Sequence, residues 1–320
     1  MKRSDSRKAH AGFTLIELLV VIGILGILLG ALLPFLGGSR DSALAAKCKN
    51  NMKNLALGVI TYAQANGDHG HFPAAGFYRS LERRSKRKSY YPNRSWISNK
   101  GPIRELNSTQ GSVYLGDVPH FGEQGDEVCT AVTNGAIWYA AGSSFEVYRC
   151  PVHAREFEKE NGGRQPWWSY MMNQEFGYNR DGEGNINFFG SSINGAITVS
   201  TDASGKRDKK KASRGQDKVL LFAEVQGIDV TTRGVTLKAV KGGGILTDPV
   251  LEYTKEDMGF NHQMGKKRCG GNVAFADGHV DTIMMPTESS YIRNLTRYLC
   301  QGFDVPHDGT RYTPNSSVDE

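Results

Sequence analysis

Apolar residues fill one long stretch near the start of the chain. The run from Leu18 to Gly38 contains no charged residue, and the next charge is Arg40. Roughly 20 apolar residues at about 1.5 Å each cross a hydrocarbon core, so the run predicts a membrane-spanning helix. Pro34 removes one helical hydrogen bond and is expected to kink or loosen this helix near its outer end.

A second pattern follows, in which apolar residues recur at steps of three and four. These residues are Leu44, Cys48, Met52, Leu55, Val59 and Tyr62. The spacing places them on one stripe of a helix, with Lys47, Lys49 and Lys53 on its polar side. We therefore predict an amphipathic helix over 39–66 that packs its stripe on a globular head and stops at the Asn-Gly-Asp string of 66–68.

Short β-like runs dominate the rest of the chain. They cover 135–141, 145–150, 167–172, 193–200, 218–225 and 235–240. Their alternation predicts an antiparallel sheet with one covered face. Two further runs, joined at Asp277-Gly278, predict a hairpin around 272–283, because Asp and Gly suit the positive φ of tight turns. The predicted fold class is α+β, with a long N-terminal helix packed on a mainly antiparallel β-sheet head.

The first residues carry a strong positive charge. Four basic residues precede Gly12, against one acid, Asp5. The positive-inside rule keeps such a leader in the cytoplasm and sends the chain after the span across the membrane. A secretory signal has its cleavage site after the apolar core, whereas Gly12 lies before it. Cleavage at Gly12 would therefore leave the span attached.

One carboxylate, Glu17, lies at the start of the apolar run. Placing it in lipid costs on the order of 3 kcal/mol. A buried carboxylate recovers this cost only when it meets a positive partner. Glu17 therefore points to an assembly signal rather than to a plain anchor.

The string Gly-Phe-Thr-Leu-Ile-Glu at 12–17, placed beside a predicted span, resembles the processing site of type IV prepilins and type II secretion pseudopilins. The resemblance extends to about residue 73. It implies that a membrane peptidase cuts after Gly12 and methylates Phe13, and that Glu17 pairs with the N-terminal ammonium of a neighbouring subunit. Pilins commonly have a proline at the depth of Pro34, which would then belong to the assembly helix.

The implied organisation has four parts: a cytoplasmic leader at 1–12, a transmembrane and assembly helix at 13–38, an amphipathic helix at 39–66 and an extracytoplasmic head at 67–320. The chain would be a structural subunit of a type IV pilus-like filament or a type II secretion pseudopilus. It would cross the inner membrane once, with its head in the periplasm or on the cell surface. Its partners would be the prepilin peptidase and methyltransferase, other pilin subunits, the inner-membrane assembly machinery and membrane lipid.

An alternative from another class is a membrane-anchored envelope protein with a binding or hydrolytic head that does not polymerise, since the head is larger than a filament subunit needs. The sequence contains no nucleophile elbow, phosphate loop or zinc-protease signature, so no enzymatic activity is predicted. Much of the net charge of +6 comes from two basic runs, at 79–88 and 206–211. Because aromatic residues are sparse among them, nucleic acid is not expected as a partner.

The sharpest motif in the head is Asp277-Gly278-His279, between two β-like runs. It resembles the C-terminal element of large pilin-like proteins, which carry a histidine nine residues before an Asp-Gly pair. The candidate histidine here, His262, has fourteen residues between it and Asp277. His262, Asp277 and His279 suit a metal or acid/base cluster or a hydrogen-bonded turn, of which the turn is preferred. Glu224, at the end of an apolar run, is a candidate partner for one of them.

A glycine-rich loop spaces oxygen ligands at alternate positions. They are Asn179, Asp181, Glu183 and Asn185. Calcium favours such an array, and major pseudopilins hold calcium in a loop of the head, but the bidentate acid of a standard calcium loop is missing. A polar turn is therefore preferred, and calcium is the one candidate cofactor.

Five cysteines follow the predicted span, in a compartment that permits disulfides. They are Cys48, Cys129, Cys150, Cys269 and Cys300. An odd count leaves at least one thiol unpaired. Cys129 and Cys150 flank one apolar segment and form the preferred disulfide, whereas Cys48 on the helical stripe is expected to behave as a small buried apolar residue.

Overall fold

A computed structural model describes residues 14–65, 70, 72–75, 95–97, 104–105, 113–114, 126–160, 166–176, 179–180, 186–187, 194–200, 211–225, 228–230, 237–239, 249–251, 257–264, 269–286 and 292–303. The chain divides into two compact units, Met1–Ala43 and Leu44–Glu320.

The helices of the described residues are α1 Leu15–Ala65, α2 Asp126–Thr133, α3 Pro151–Glu160 and α4 Ile292–Cys300, with a 3₁₀ helix at Phe145–Tyr148. The strands are β1 Arg104–Glu105, β2 Val113–Tyr114, β3 Tyr170–Asn173, β4 Asn179–Arg180, β5 Ile186–Asn187, β6 Ile197–Ser200, β7 Lys211–Arg214, β8 Leu220–Glu224, β9 Ile228–Val230, β10 Leu237–Ala239, β11 Val250–Leu251, β12 His262–Gln263, β13 Cys269–Phe275 and β14 Val280–Met284.

In the first unit, α1 begins at Leu15 and leaves large apolar side chains exposed. Leu15 is 82% exposed and Ile27 is 75% exposed. Pro34 lies within α1, and its side chain is outside the described part of the chain. The sequence predicts a membrane span over this stretch; within the residues that the structure describes, no helix is both long and apolar enough to cross a membrane.

In the second unit, the predicted stripe of α1 faces the core. Its fully buried members are Cys48, Met52, Leu55 and Val59, and its partly buried members are Leu44 and Tyr62. Leu57, which is off the stripe, is 46% exposed. The amphipathic helix predicted from the spacing is therefore confirmed, and α1 ends at Ala65, next to the predicted stop.

A six-stranded sheet lies in the core of the second unit. Its strand order is β11-β3-β8-β13-β12, and β14 also pairs with β13. The pairs are antiparallel except that β11 runs parallel to β3, so the sheet is mixed and the prediction of a mainly antiparallel sheet is corrected. A parallel pair needs a long crossover, and the chain between Asn173 and Val250 supplies one.

Two predicted strands, at 135–141 and 145–150, are wrong. The first is a series of turns in which the Ala141 amide donates to the Ile137 carbonyl over 2.7 Å. Ile137 and Ala141 are both buried, which is the i, i+4 spacing of a helical turn and not the alternation of a strand. The second contains the 3₁₀ helix, where the Ser144 side chain caps the start by accepting from the Glu146 amide.

The predicted hairpin around 272–283 is present. Strands β13 and β14 pair antiparallel, with Asn272 opposite Thr282 and Ala274 opposite Val280. Gly278 has a φ of +90° in the connecting turn, a conformation that L side chains rarely adopt. The Asp-Gly pair is therefore a reliable indication of this turn.

Candidate functional site

Four side chains with metal-binding or acid/base chemistry meet inside the head. They are Cys48 on α1, Cys150 between the 3₁₀ helix and α3, Glu224 at the end of β8, and His262 on β12. Their potential ligand atoms all lie within 4.8 Å of one another. All four side chains are buried, none more than 2% exposed. We call these four residues the Cys-Cys-Glu-His cluster.

Local sequence features help to position three of the four members. Cys48 lies on the buried stripe of α1, four residues before Met52. Pro151 begins α3, a position at which proline is favoured, and so fixes Cys150 at the helix start. Glu224 ends a strand that is buried at every position, and Tyr170 of β3 stands opposite it.

Glu224 is the common hydrogen-bond acceptor of the cluster. Its Oε1 lies 2.8 Å from His262 Nε2 and accepts from Cys48 Sγ over 2.9 Å. The same oxygen accepts from Asn272 Nδ2 over 3.0 Å. Thr282 Oγ1 in turn donates to Asn272 Oδ1 over 2.8 Å, so the hairpin strands hold the amide in place.

The two thiols complete the contacts. Cys150 Sγ lies 3.6 Å from His262 Nε2, and Cys48 Sγ lies 3.3 Å from the Tyr170 hydroxyl. Two polar atoms stay unsatisfied: among the described residues, Glu224 Oε2 and His262 Nδ1 have no hydrogen-bond partner. A buried polar atom without a partner costs about 1–3 kcal/mol, so the cluster is not complete as a hydrogen-bond network.

The electrostatics favour a charged pair in the cluster. Burial alone would raise the pKa of Glu224, but the charge and hydrogen bond of His262, with the hydrogen bond from Cys48, bring it below its ordinary value. Burial alone would lower the pKa of His262. The adjacent Glu224 carboxylate has the larger effect and raises the pKa of that imidazole to about 11. At neutral pH the two side chains therefore form a buried ion pair.

Burial opposes ionisation of both thiols, whereas the net effect of the neighbouring groups is to raise the pKa of Cys48 and to lower that of Cys150. Burial raises the pKa of Cys48 well above its ordinary value. Burial also opposes ionisation of Cys150, but a hydrogen bond from Cys48 and the His262 charge lower the pKa of Cys150 to about 7. A thiolate beside an imidazole is a nucleophile in some enzymes, yet nucleophilic catalysis requires access for a substrate. The complete burial of both cysteines favours a structural or metal-binding role.

The structure separates the histidine and the aspartate of the predicted His-Asp-Gly element. His262 contacts Glu224, which confirms the suggested pairing of Glu224 with one of these groups. Asp277 instead accepts from the His279 amide over 3.0 Å and lies 2.6 Å from His279 Nδ1. His279 also stacks on Phe275 with a centroid distance of 4.3 Å. The preferred interpretation, a hydrogen-bonded turn, holds for Asp277 and Gly278.

The predicted disulfide between Cys129 and Cys150 is not formed. All five cysteines have free thiols, and Cys150 is a member of the buried cluster. Cys129 lies half-buried on α2. The apolar segment between them folds into turns and a 3₁₀ helix and not into a strand.

Several predicted residues lie outside the described part of the chain. They are Gly12, Phe13, Asp181, Glu183 and Asn185, together with most of both basic runs. Asn179 begins β4, which pairs with β5, and the other three calcium candidates lie between these two strands in the sequence. The calcium site stays a prediction.

Thr14 and Glu17 form a reciprocal cap at the start of α1. Glu17 Oε2 accepts from the Thr14 amide and from Thr14 Oγ1, each over 2.8 Å. The Glu17 amide donates back to Thr14 Oγ1 over 3.3 Å. This arrangement is a capping box, and the Thr-x-x-Glu spacing that indicates it is present in the sequence.

The Cys-Cys-Glu-His cluster, by contrast, has no local sequence signal. Consecutive members are separated by between 38 and 102 residues along the chain, so no spacing rule connects them. Only the stripe position of Cys48 and the strand-end position of Glu224 indicate that each meets a partner in the head.

Comparison with known proteins gives a match at the start of the chain. Residues 7–33 match the family described as the prokaryotic N-terminal methylation motif. No curated protein and no solved structure matches the chain. The motif supports a type IV pilin-like or pseudopilin-like protein, and it points to a structural subunit rather than an enzyme. It is the substrate signal of prepilin peptidase, implies other pilin subunits as partners and suggests a membrane-anchored envelope protein.

Proposed function

We propose that this chain is a structural subunit of a type IV pilus-like filament or a type II secretion pseudopilus. A prepilin peptidase removes the leader 1–12 by cutting after Gly12, and Phe13 is then methylated. The helix 13–38 anchors the subunit in the inner membrane before assembly, with the head 67–320 on the far side. The observation that carries this proposal is the methylation motif at 7–33.

The exposed apolar surface of the first unit supports the proposal. Leu15, Ile16 and Ile27 are each at least 70% exposed. An apolar helix surface of this kind needs lipid or other apolar helices as its surroundings. Insertion into the membrane supplies lipid, and assembly replaces the lipid with neighbouring subunits.

The capping box gives Glu17 a defined place near the new N-terminus. Its carboxylate lies at the amide of Thr14, the residue directly after Phe13. Cleavage after Gly12 adds an ammonium at Phe13, and an apolar environment makes pairing of the ammonium with a carboxylate strongly favourable. In the proposed filament, Glu17 pairs with the Phe13 ammonium of the neighbouring subunit and so fixes the packing register.

The second candidate is a membrane-anchored envelope protein whose binding or hydrolytic head does not polymerise. The size of the head favours it, because Leu44–Glu320 is a compact unit that exceeds what helix packing requires. Both candidates share the processing step and the anchor. They differ only in whether Glu17 serves contacts between subunits.

The test compares full-length Glu17→Ala and Thr14→Ala with the unchanged chain, each carrying a photoreactive residue at Ile22. Cells that contain a prepilin peptidase and an assembly system are irradiated, and crosslinked multimers are counted. Glu17→Ala should reduce multimers at least about tenfold, because an ammonium in lipid without its carboxylate costs about 3 kcal/mol or more. Thr14→Ala removes the cap, worth about 1 kcal/mol, but keeps the charge, and should retain multimers. Equal multimers in Glu17→Ala and the unchanged chain would contradict assembly.

A further inference from the structure

We propose that the Cys-Cys-Glu-His cluster is a closed, structural Zn²⁺ site that fastens helix α1 to the sheet of the head. Cys48 Sγ, Cys150 Sγ, one carboxylate oxygen of Glu224 and one ring nitrogen of His262 would be the ligands. This site does not depend on the proposed function, because it is argued from the head alone.

The geometry is close to that of a bound ion. Zinc binds sulfur at about 2.3 Å and nitrogen or oxygen at about 2.0–2.2 Å, so four ligands of a tetrahedron lie roughly 3.3–3.8 Å apart. The Cys150 Sγ to His262 Nε2 distance is 3.6 Å, and all four ligand atoms lie within 4.8 Å of one another. The two contacts of Glu224 Oε1, at 2.8 and 2.9 Å, need to lengthen by less than about 1 Å.

The donor set selects the ion. Two sulfur ligands are unsuitable for Ca²⁺ and Mg²⁺, which take oxygen ligands. Thiolate, imidazole and carboxylate together suit Zn²⁺, which commonly has four protein ligands in structural sites. Because all four side chains are buried, the site leaves no open position for water or substrate.

The hydrogen-bond network also indicates a missing partner. Glu224 Oε1 contacts three groups, whereas Glu224 Oε2 has no partner among the described residues. When Zn²⁺ binds, Cys48 and Cys150 become thiolates and His262 becomes a neutral imidazole, and the protons that these groups carry are released to solvent. The two thiolate charges, with that of Glu224, then face the ion instead of one another.

Groups around the cluster are placed to orient the ligands. Asn272 donates to Glu224 and is itself held by Thr282, and the Tyr170 hydroxyl lies 3.3 Å from Cys48 Sγ. Such outer partners typically contribute about 10- to 100-fold in metal affinity. Asn272→Ala should therefore weaken zinc binding by about 10- to 100-fold while all four ligands remain.

The experiment measures zinc in the full chain, purified in detergent without chelator, by elemental mass spectrometry. One zinc ion per chain is expected. Cys150→Ser and His262→Ala should lower the content at least about tenfold. Cys129→Ser, a cysteine on α2 outside the cluster, is the matched control and should keep the full content.

A second measurement keeps the proposal testable if these variants do not fold. The unchanged chain is stripped of metal and titrated with Co²⁺, and thiolate-to-cobalt charge-transfer absorption should rise to a one-to-one endpoint. Peptide mapping without reductant reports the state of the cysteines. A Cys48–Cys150 disulfide, or reduced thiols with neither zinc nor cobalt bound, would overturn the proposal.

Discussion

Glu224 is the residue on which the polar centre of the head depends. It is fully buried at the end of β8, and its Oε1 contacts groups from α1, β12 and β13. Transfer of a lone carboxylate into such surroundings is costly, so its partners determine whether the head tolerates the charge. A second buried histidine, His153, hydrogen-bonds instead to a neutral group, Ser169 Oγ, over 2.9 Å.

His153 should make the head sensitive to acid. Burial lowers its pKa to about 4, although the Glu224 charge acts in the opposite direction. The unfolded chain takes up this proton near pH 6.5, whereas the folded chain resists it. The free energy of unfolding is therefore unaffected by His153 above pH 6.5 and decreases as the pH falls towards 4. The loss amounts to about 3 kcal/mol. Denaturant unfolding at several pH values should show a flatter profile for His153→Gln than for the unchanged chain, and identical slopes in the two would refute this prediction.

The role of a residue is predictable where its own place in the sequence pattern indicates it. The sequence places Cys48 on a buried stripe and Glu224 at a strand end, and both placements are correct. Their meeting is not predictable, because Cys150 and His262 come from separate elements far along the chain. The choice of Cys129 as the partner of Cys150 is wrong for the same reason: proximity in sequence does not stand for proximity in space.

The elements of the head follow from periodicity when they are long. Helix α1 repeats its apolar stripe over several turns, so the pattern outweighs local ambiguity. The segments 135–141 and 145–150 are short, and tertiary contacts decide them. Gly135 packs against the Trp96 carbonyl with no room for a Cβ, a contact that no local pattern indicates. The parallel position of β11 beside β3 likewise depends on a long crossover and not on alternation.

The buried stripe of α1 should account for much of its attachment to the head. Met52→Ala removes a fully buried side chain and should lower the free energy of unfolding by about 2–5 kcal/mol. Leu57→Ala, on the same helix but 46% exposed, should change it by less than about 0.5 kcal/mol. Urea unfolding of the full chain in detergent measures both. Equal costs for the two variants would mean that the stripe does not carry the packing.

At the scale of the whole molecule, the two units differ in how much of their role the sequence alone indicates. The first unit contains most of the N-terminal methylation motif, which is local in sequence, so the order of residues alone is enough to recognise it. The second unit carries the Cys-Cys-Glu-His cluster, which exists only after folding brings α1, β8 and β12 together. In the function that we propose, the head is the folded body of the subunit, and the N-terminal segment determines how that body is processed and packed.

The most direct test of this account is the mass of the mature N-terminus. The full chain is expressed with a prepilin peptidase, purified from membranes and digested, and its N-terminal peptide is fragmented. We predict a chain that lacks residues 1–12 and begins with N-methylated Phe13, and a Gly12→Val variant that keeps its leader because the glycine at the cut is replaced. An intact Met1 in the unchanged chain, or an N-terminus beyond Gly38, would contradict the account.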